Sequence, residues 1–133
     1  PTDPTTPAGP PTPPGQSAAD FFAGQPFGLA VYERVLGMVR ELGPVEVRVS
    51  TSQVAFRVRR GFAYLWRPGQ YLRNPAAEVV LSIALGRHDE SARFKEVAHP
   101  SSRQWIHHLE VRDLADLDDE VSAWLHEAAA RAT

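Results

Sequence analysis

Between residues 45 and 67 the chain reads VEVRVSTSQVAFRVRRGFAYLWR, and apolar and polar positions alternate along most of it. Val45, Val47 and Val49 alternate with Glu46, Arg48 and Ser50, and Val54, Phe56 and Val58 alternate with Ala55, Arg57 and Arg59. A period of two belongs to strands with one buried face, so the stretch predicts three consecutive strands joined by two short turns. With Thr51-Ser52 as the first turn, Glu46 lies opposite Arg57 and Arg48 opposite Ala55 on a polar face. For the second, a loop of Arg59-Arg60-Gly61 demands positive φ only of Gly61, whereas a two-residue loop would demand it of Arg60. That choice sets Val58 opposite Phe62, Phe56 opposite Tyr64 and Val54 opposite Trp66, and so turns all three aromatics of the third strand to the core.

Upstream the period changes. From Pro26 to Leu42 the apolar residues Phe27, Ala30, Val31, Val35, Met38, Val39 and Leu42 recur at three and four, which predicts an amphipathic helix stopped by Gly43-Pro44. Asp20 is expected to cap a short turn carrying Phe21 and Phe22. Downstream, residues 68–78 read as a loop with Tyr71 and Leu72 turned inward. Val79 to Leu85, VVLSIAL, reads as a fourth strand with Val79, Leu81, Ile83 and Leu85 on the apolar face. Gly86 to Arg93 is a charged loop. Phe94 to Ala98 and Gln104 to Val111 form a last hairpin through HPSSR, with Trp105, His107, Leu109 and Val111 on one face and Ile106, His108 and Glu110 on the other. Asp116 or Asp118 caps a final helix running to about Arg131, with Leu117, Val121, Trp124, Leu125 and Ala128 as its buried stripe. The order predicts an α+β fold: an antiparallel sheet of about five or six strands with an N-terminal and a C-terminal helix packed on one face.

Residues 1–16 hold seven of the 12 prolines and almost nothing to bury, so they are expected to form a disordered, Pro-rich tail ahead of a single domain over residues 17–133. At 133 residues, 43% hydrophobic, the chain suits one core. Its formal net charge of -2 argues against nucleic-acid binding by bulk charge. The chain has no Cys, which excludes disulfides and thiolate chemistry and fits the cytoplasm. No apolar run reaches the roughly 20 residues needed to span a bilayer. Thirteen of the 14 basic residues are Arg, a bias of GC-rich genomes, so arginine alone carries little argument.

Chemistry-bearing motifs are sparse. There is no G-x-S-x-G elbow, no phosphate-cradling Gly loop and no HExxH pair, and the neighbours His107 and His108 cannot share a metal from one strand. No cofactor or metal is therefore expected. His107, among apolar residues, reads as a hydrogen-bonded core histidine. His108, on the other face, is the candidate acid–base residue, with Lys95 and Glu96 beside it in the last hairpin. Ala55, Ala63, Ser82 and Ala84 would floor a shallow concavity bordered by Arg48, Arg57 and Arg67, whose planar forks suit a carboxylate or phosphate. The aromatics needed for base stacking go to the core in this register, which disfavours nucleic acid.

The runs FAGQPFGLAVYERV, VEVRVSTSQVAFRVRRGFAYLW, ARFKEV and WIHHLEVRDLADLDDEV resemble a small bacterial family catalogued as domain of unknown function 5655. The resemblance covers about residues 20 to 130. It implies a compact cytoplasmic domain, alone or appended to other modules, and supplies no reaction, ligand or functional residue. The expected function is a non-catalytic binding module, with Arg48, Arg57, Arg67 and His108 receiving an anionic small molecule or partner segment. The alternatives are a small enzyme using His108 with Lys95 or Glu96, and a structural domain that dimerises through an exposed sheet edge.

Overall fold

The most apolar strand lies in the middle of the sheet. The computed structural model describes residues 17–133, so the tail predicted for residues 1–16 lies outside it. Six antiparallel strands, β1 (Glu46–Val49), β2 (Val54–Arg57), β3 (Gly61–Trp66), β4 (Val79–Leu85), β5 (Glu96–Ser101) and β6 (Gln104–Val111), stand in the order β1-β2-β3-β4-β6-β5. Every residue of β4 is buried, alternate ones towards the helices and the small ones of the other face between the larger side chains of the neighbouring strands. Three helices flank the strands in sequence, α1 (Ala18–Phe21), α2 (Pro26–Arg40) and α3 (Asp119–Arg131). The expected α+β architecture, with helices at both ends of an antiparallel sheet, is the one found.

All three helices bury their apolar residues against one face. Phe21 and Phe22, Val31, Val35 and Val39, and Val121, Leu125 and Ala128 share a core with Val54, Phe56, Leu65, Leu81, Ile83 and Leu109. Pro26 opens α2, where its missing N–H costs nothing, and Gly43 leaves it at φ +135°. Asp118 caps α3 by accepting the Val121 N–H at 3.2 Å. For α1 the cap is Ser17 rather than Asp20. Asp20 is the third helical residue and returns a bond to the Ser17 N–H, a reciprocal box that satisfies two otherwise unpaired amides.

The hairpin between β2 and β3 departs from the expected register. Val54 faces Leu65, Ala55 faces Tyr64 and Phe56 faces Ala63, and the pairing then skips Phe62 so that Arg57 meets Gly61. Phe62 is the extra residue of a bulge, which lets it and Ala63 both join the core. Gly61 does not have positive φ. The connection is held from outside, because the Arg59 and Arg60 amides donate to the Ala132 carbonyl at the end of α3, at 3.1 and 3.2 Å. Everything after the bulge is turned over: Tyr64 and Trp66 leave the predicted core face for the open one, while Ala63 and Leu65 replace them inside. Tyr71 and Leu72 are also not tucked in, being 63% and 54% exposed. β5 starts at Glu96 instead of Phe94, and Phe94 packs on Trp124 at 4.5 Å between ring centroids.

Candidate functional site

One row of residues crosses the open face. Through direct cross-strand pairing it runs Arg48, Ala55, Tyr64, Ser82, His108, Glu96, one residue from each strand in spatial order. Opposed side chains on one face lie about 5 Å apart, so neighbours along the row touch. Trp66, two residues beyond Tyr64, projects from the same face.

The row's centre is a hydrogen-bonded chain. The Trp66 Nε1–H donates to Ser82 Oγ at 2.8 Å, and Ser82 Oγ lies 2.6 Å from His108 Nδ1. An indole N–H can only donate, so Oγ accepts there; towards Nδ1 the hydroxyl donates in the Nε2–H tautomer of the neutral ring and accepts in the Nδ1–H tautomer. Burial pushes His108 below the usual imidazole value, against the charge of Glu96, which pulls it up. The Trp66 and His108 rings meet edge-on, 5.9 Å apart and 83° between planes.

Above this chain is a cleft of ≈ 420 Å³ lined by Ser52, Gln53, Tyr64, Trp66, Tyr71, Ser82, Ile106 and His108. Gln70, in the 3-10 turn Pro68–Gln70, donates from Nε2 to the Thr51 carbonyl at 3.0 Å and so ties together the two turns next to the cleft residues Ser52 and Tyr71. Tyr71, the next residue, lies beside Trp66, with ring centroids 6.3 Å apart. Behind the wall made by Trp66 and His108 a smaller cavity of ≈ 180 Å³ is bordered by Leu72, Val80, Lys95, Glu96 and Glu110.

The residues expected to form a site fall into three groups. His108, Lys95 and Glu96 come together around the small cavity, although the Lys95 ammonium is taken by Glu110 at 2.9 Å. Arg48 and Arg57 share the open face and flank Glu46, with Nε to carboxylate distances of 3.1 and 3.6 Å. Arg67 is not with them. The bulge turns it to the helix side, where its guanidinium carbon lies 5.0 Å from the centre of the Phe21 ring. Ala63 likewise belongs to the core, so of the predicted floor only Ala55, Ser82 and Ala84 remain on this face. The participants not foreseen are Tyr64, Trp66, Tyr71 and Gln53, together with Ser82 in its role as hydrogen-bond partner of His108. Only the correct register reveals the first two, since it is what brings Tyr64 and Trp66 level with Ser82.

His107, on the other face, is fully buried among Phe94 and Trp124. Its Nε2 accepts the Asp89 N–H at 3.0 Å and its Nδ1 lies 3.3 Å from the Ile83 carbonyl, so both nitrogens are used by the neutral ring. It ties the 86–93 loop to the core.

A family model described as domain of unknown function, DUF5655, matches residues 18–129. The chain belongs to the DUF5655 family. No curated protein and no solved structure matches it. Among the described residues of this DUF5655 member, no three His, Asp or Glu side chains form a group able to hold a metal ion, and no helix is long and apolar enough to cross a membrane.

Proposed function

We propose that this DUF5655 chain is a binding module of the bacterial cytoplasm, whose open sheet face receives an anionic ligand or the anionic segment of a partner. The observation that carries this reading is the cleft walled by Tyr64, Trp66 and Tyr71 with the Ser82–His108 pair at its floor. Aromatic faces left out of a core, beside a few convergent polar groups, suit a flat ring with a polar end. Arg48 lies two strand spacings, about 10 Å, from Tyr64, and Arg57 lies one spacing away, opposite Gly61; the two form a rim where an arriving anion must displace Glu46. With Tyr64 and Trp66 on the open face, the ground for disfavouring base stacking falls away, so nucleotides belong among the ligands tried.

The test is a thermal-shift and tryptophan-fluorescence screen of aromatic carboxylates, aryl phosphates, mononucleotides and short oligonucleotides. A ligand of this site should bind at least about tenfold more weakly to Trp66→Leu, the loss of one good stacking contact. Arg57→Ala should weaken only ligands long enough to reach the rim. Absence of any binding, or binding indifferent to Trp66 and His108, removes the proposal.

The second reading, an enzyme using His108 as base, is favoured by the register that sets Glu96 directly opposite His108. Turnover of an activated ester that is abolished in His108→Gln would place this reading first; equal turnover in both proteins would dismiss it.

A further inference from the structure

We infer that the cleft takes an anionic oxygen, from a carboxylate, sulfonate or phosphate, together with a proton that goes onto His108, and that Ser82 is the group that then donates to that oxygen. This rests on the ligand-binding reading above and goes further by naming the acceptor chemistry and its coupling to pH.

The argument is an account of lone pairs and protons. A hydroxyl has one proton to give and can accept two. With the neutral His108 ring as its Nε2–H tautomer, Ser82 accepts from Trp66 and gives its proton to Nδ1, so it offers the cleft no donor. When His108 gains a proton, Nδ1 becomes a donor itself and the hydroxyl must turn away. Ser82 Oγ then accepts from both Trp66 and His108, and its proton points to the one remaining direction, the cleft that Ser82 lines. That donor has no partner among the described residues and faces the open cleft. An acceptor oxygen in the cleft satisfies it, while its negative charge favours the imidazolium 2.6 Å behind the hydroxyl. Ligand and proton therefore stabilise one another.

The surroundings of His108 permit this. From β3 it faces Trp66 and Tyr64, from β4 Ser82, and from the 68–78 loop Tyr71. From β5 it faces Glu96 and Lys95, and on its own strand Glu110. Lys95 and Glu110 neutralise each other at 2.9 Å, and Glu110 is shared with Arg112. The Glu96 carboxylate has no hydrogen-bond or ion-pair partner among the described residues and favours the charged ring. The balance of neighbouring charge thus holds His108 within reach of protonation once an anion arrives.

The experiment uses benzenesulfonate, whose charge is constant over the range, with benzoate and phenyl phosphate as the carboxylate and phosphate arms and benzamide as an uncharged control. Affinities are measured by calorimetry at about pH 5 and about pH 7.5, and the His108 ring is followed by ¹⁵N NMR, the tautomer and titration both being visible there. Benzenesulfonate should bind at least about tenfold tighter at the lower pH, and saturation should raise the His108 titration midpoint by at least about one pH unit, the reciprocal of that tenfold. Benzamide should show neither effect, and in His108→Gln the pH dependence should vanish. A proton on Nδ1 in the free neutral protein overturns the inference without any ligand or variant. Benzenesulfonate affinity equal at both pH values, with the His108 midpoint unmoved, overturns it and leaves the ligand-binding reading standing. No binding of any of the aromatic anions overturns both.

Discussion

Two glycines of one helix should respond to the same substitution with opposite sign. Gly28 and Gly37 both lie in α2, and an alanine at either gains helix propensity, worth up to about 1 kcal/mol relative to glycine. At Gly37 the added Cβ meets nothing within 4 Å, so Gly37→Ala should stabilise by about 0.5 to 1 kcal/mol. At Gly28 the same atom would lie 2.8 Å from Phe22 Cε1, nearer still to Cδ1, and 3.2 Å from Val79 Cγ2. Carbon atoms rest at about 3.5 to 4 Å, so Phe22 would have to move by most of an ångström. It has no room: the ring is 2% exposed and meets Phe21 edge-on at 4.9 Å. Overpacking of this kind costs about 1 to 3 kcal/mol, which makes Gly28→Ala net destabilising by as much as about 2 kcal/mol. The Gly28 N–H to Glu78 bond at 2.9 Å survives the change, so the difference isolates packing. Urea unfolding followed by circular dichroism reads it directly. With a slope of about 2 kcal/mol per molar, the two variants should be separated by about 0.5 to 1.5 M in midpoint. If Gly28→Ala is stabilised as much as Gly37→Ala, the close packing of α1, α2 and β4 described above is wrong.

Phe56, fully buried and stacked on Tyr32 at 5.9 Å, should cost about 3 to 5 kcal/mol when truncated to alanine, and a near-neutral result in urea unfolding would contradict its central place. Asp118→Ala should destabilise by about 0.5 to 2 kcal/mol, because it removes the cap on α3, and Asp118→Asn should recover most of that. Both His107 and His108 sit below their unfolded value, chiefly through burial. The unfolded chain therefore binds more protons in the window just below about pH 6.5, so stability should be full above that pH and fall as the pH drops through the folded values. Melting temperatures across about pH 5 to 8 should show this slope, reduced in His108→Gln; a flat profile or a rise towards acid would refute the sign.

The fold was legible because its signals are local. Period two in residues 45–58 and 79–85, period 3.6 in 26–40 and 119–131, and the Gly43-Pro44 and Asp118 boundaries each arise within a few residues of chain, and they were enough to give six strands between two helices. The Glu46 to Arg57 pairing was legible for the same reason, since a two-residue turn fixes its register. The candidate site was not, although His108 itself was singled out by parity. Whether Tyr64 and Trp66 face the helices or the open side depends on one extra residue, Phe62, whose insertion is neutral to local pattern because Ala63 and Leu65 are as apolar as the residues they replace in the core. What tips that balance is the Ala132 carbonyl, 72 residues beyond Arg60 in sequence, which takes the turn amides that a tight hairpin would have used. A side-chain period of two turns such a one-residue shift into a change of face for every residue after it. The chain by itself determined which segments form strands and helices; contact between the end of α3 and the β2–β3 turn decided which aromatics are left to line the cleft.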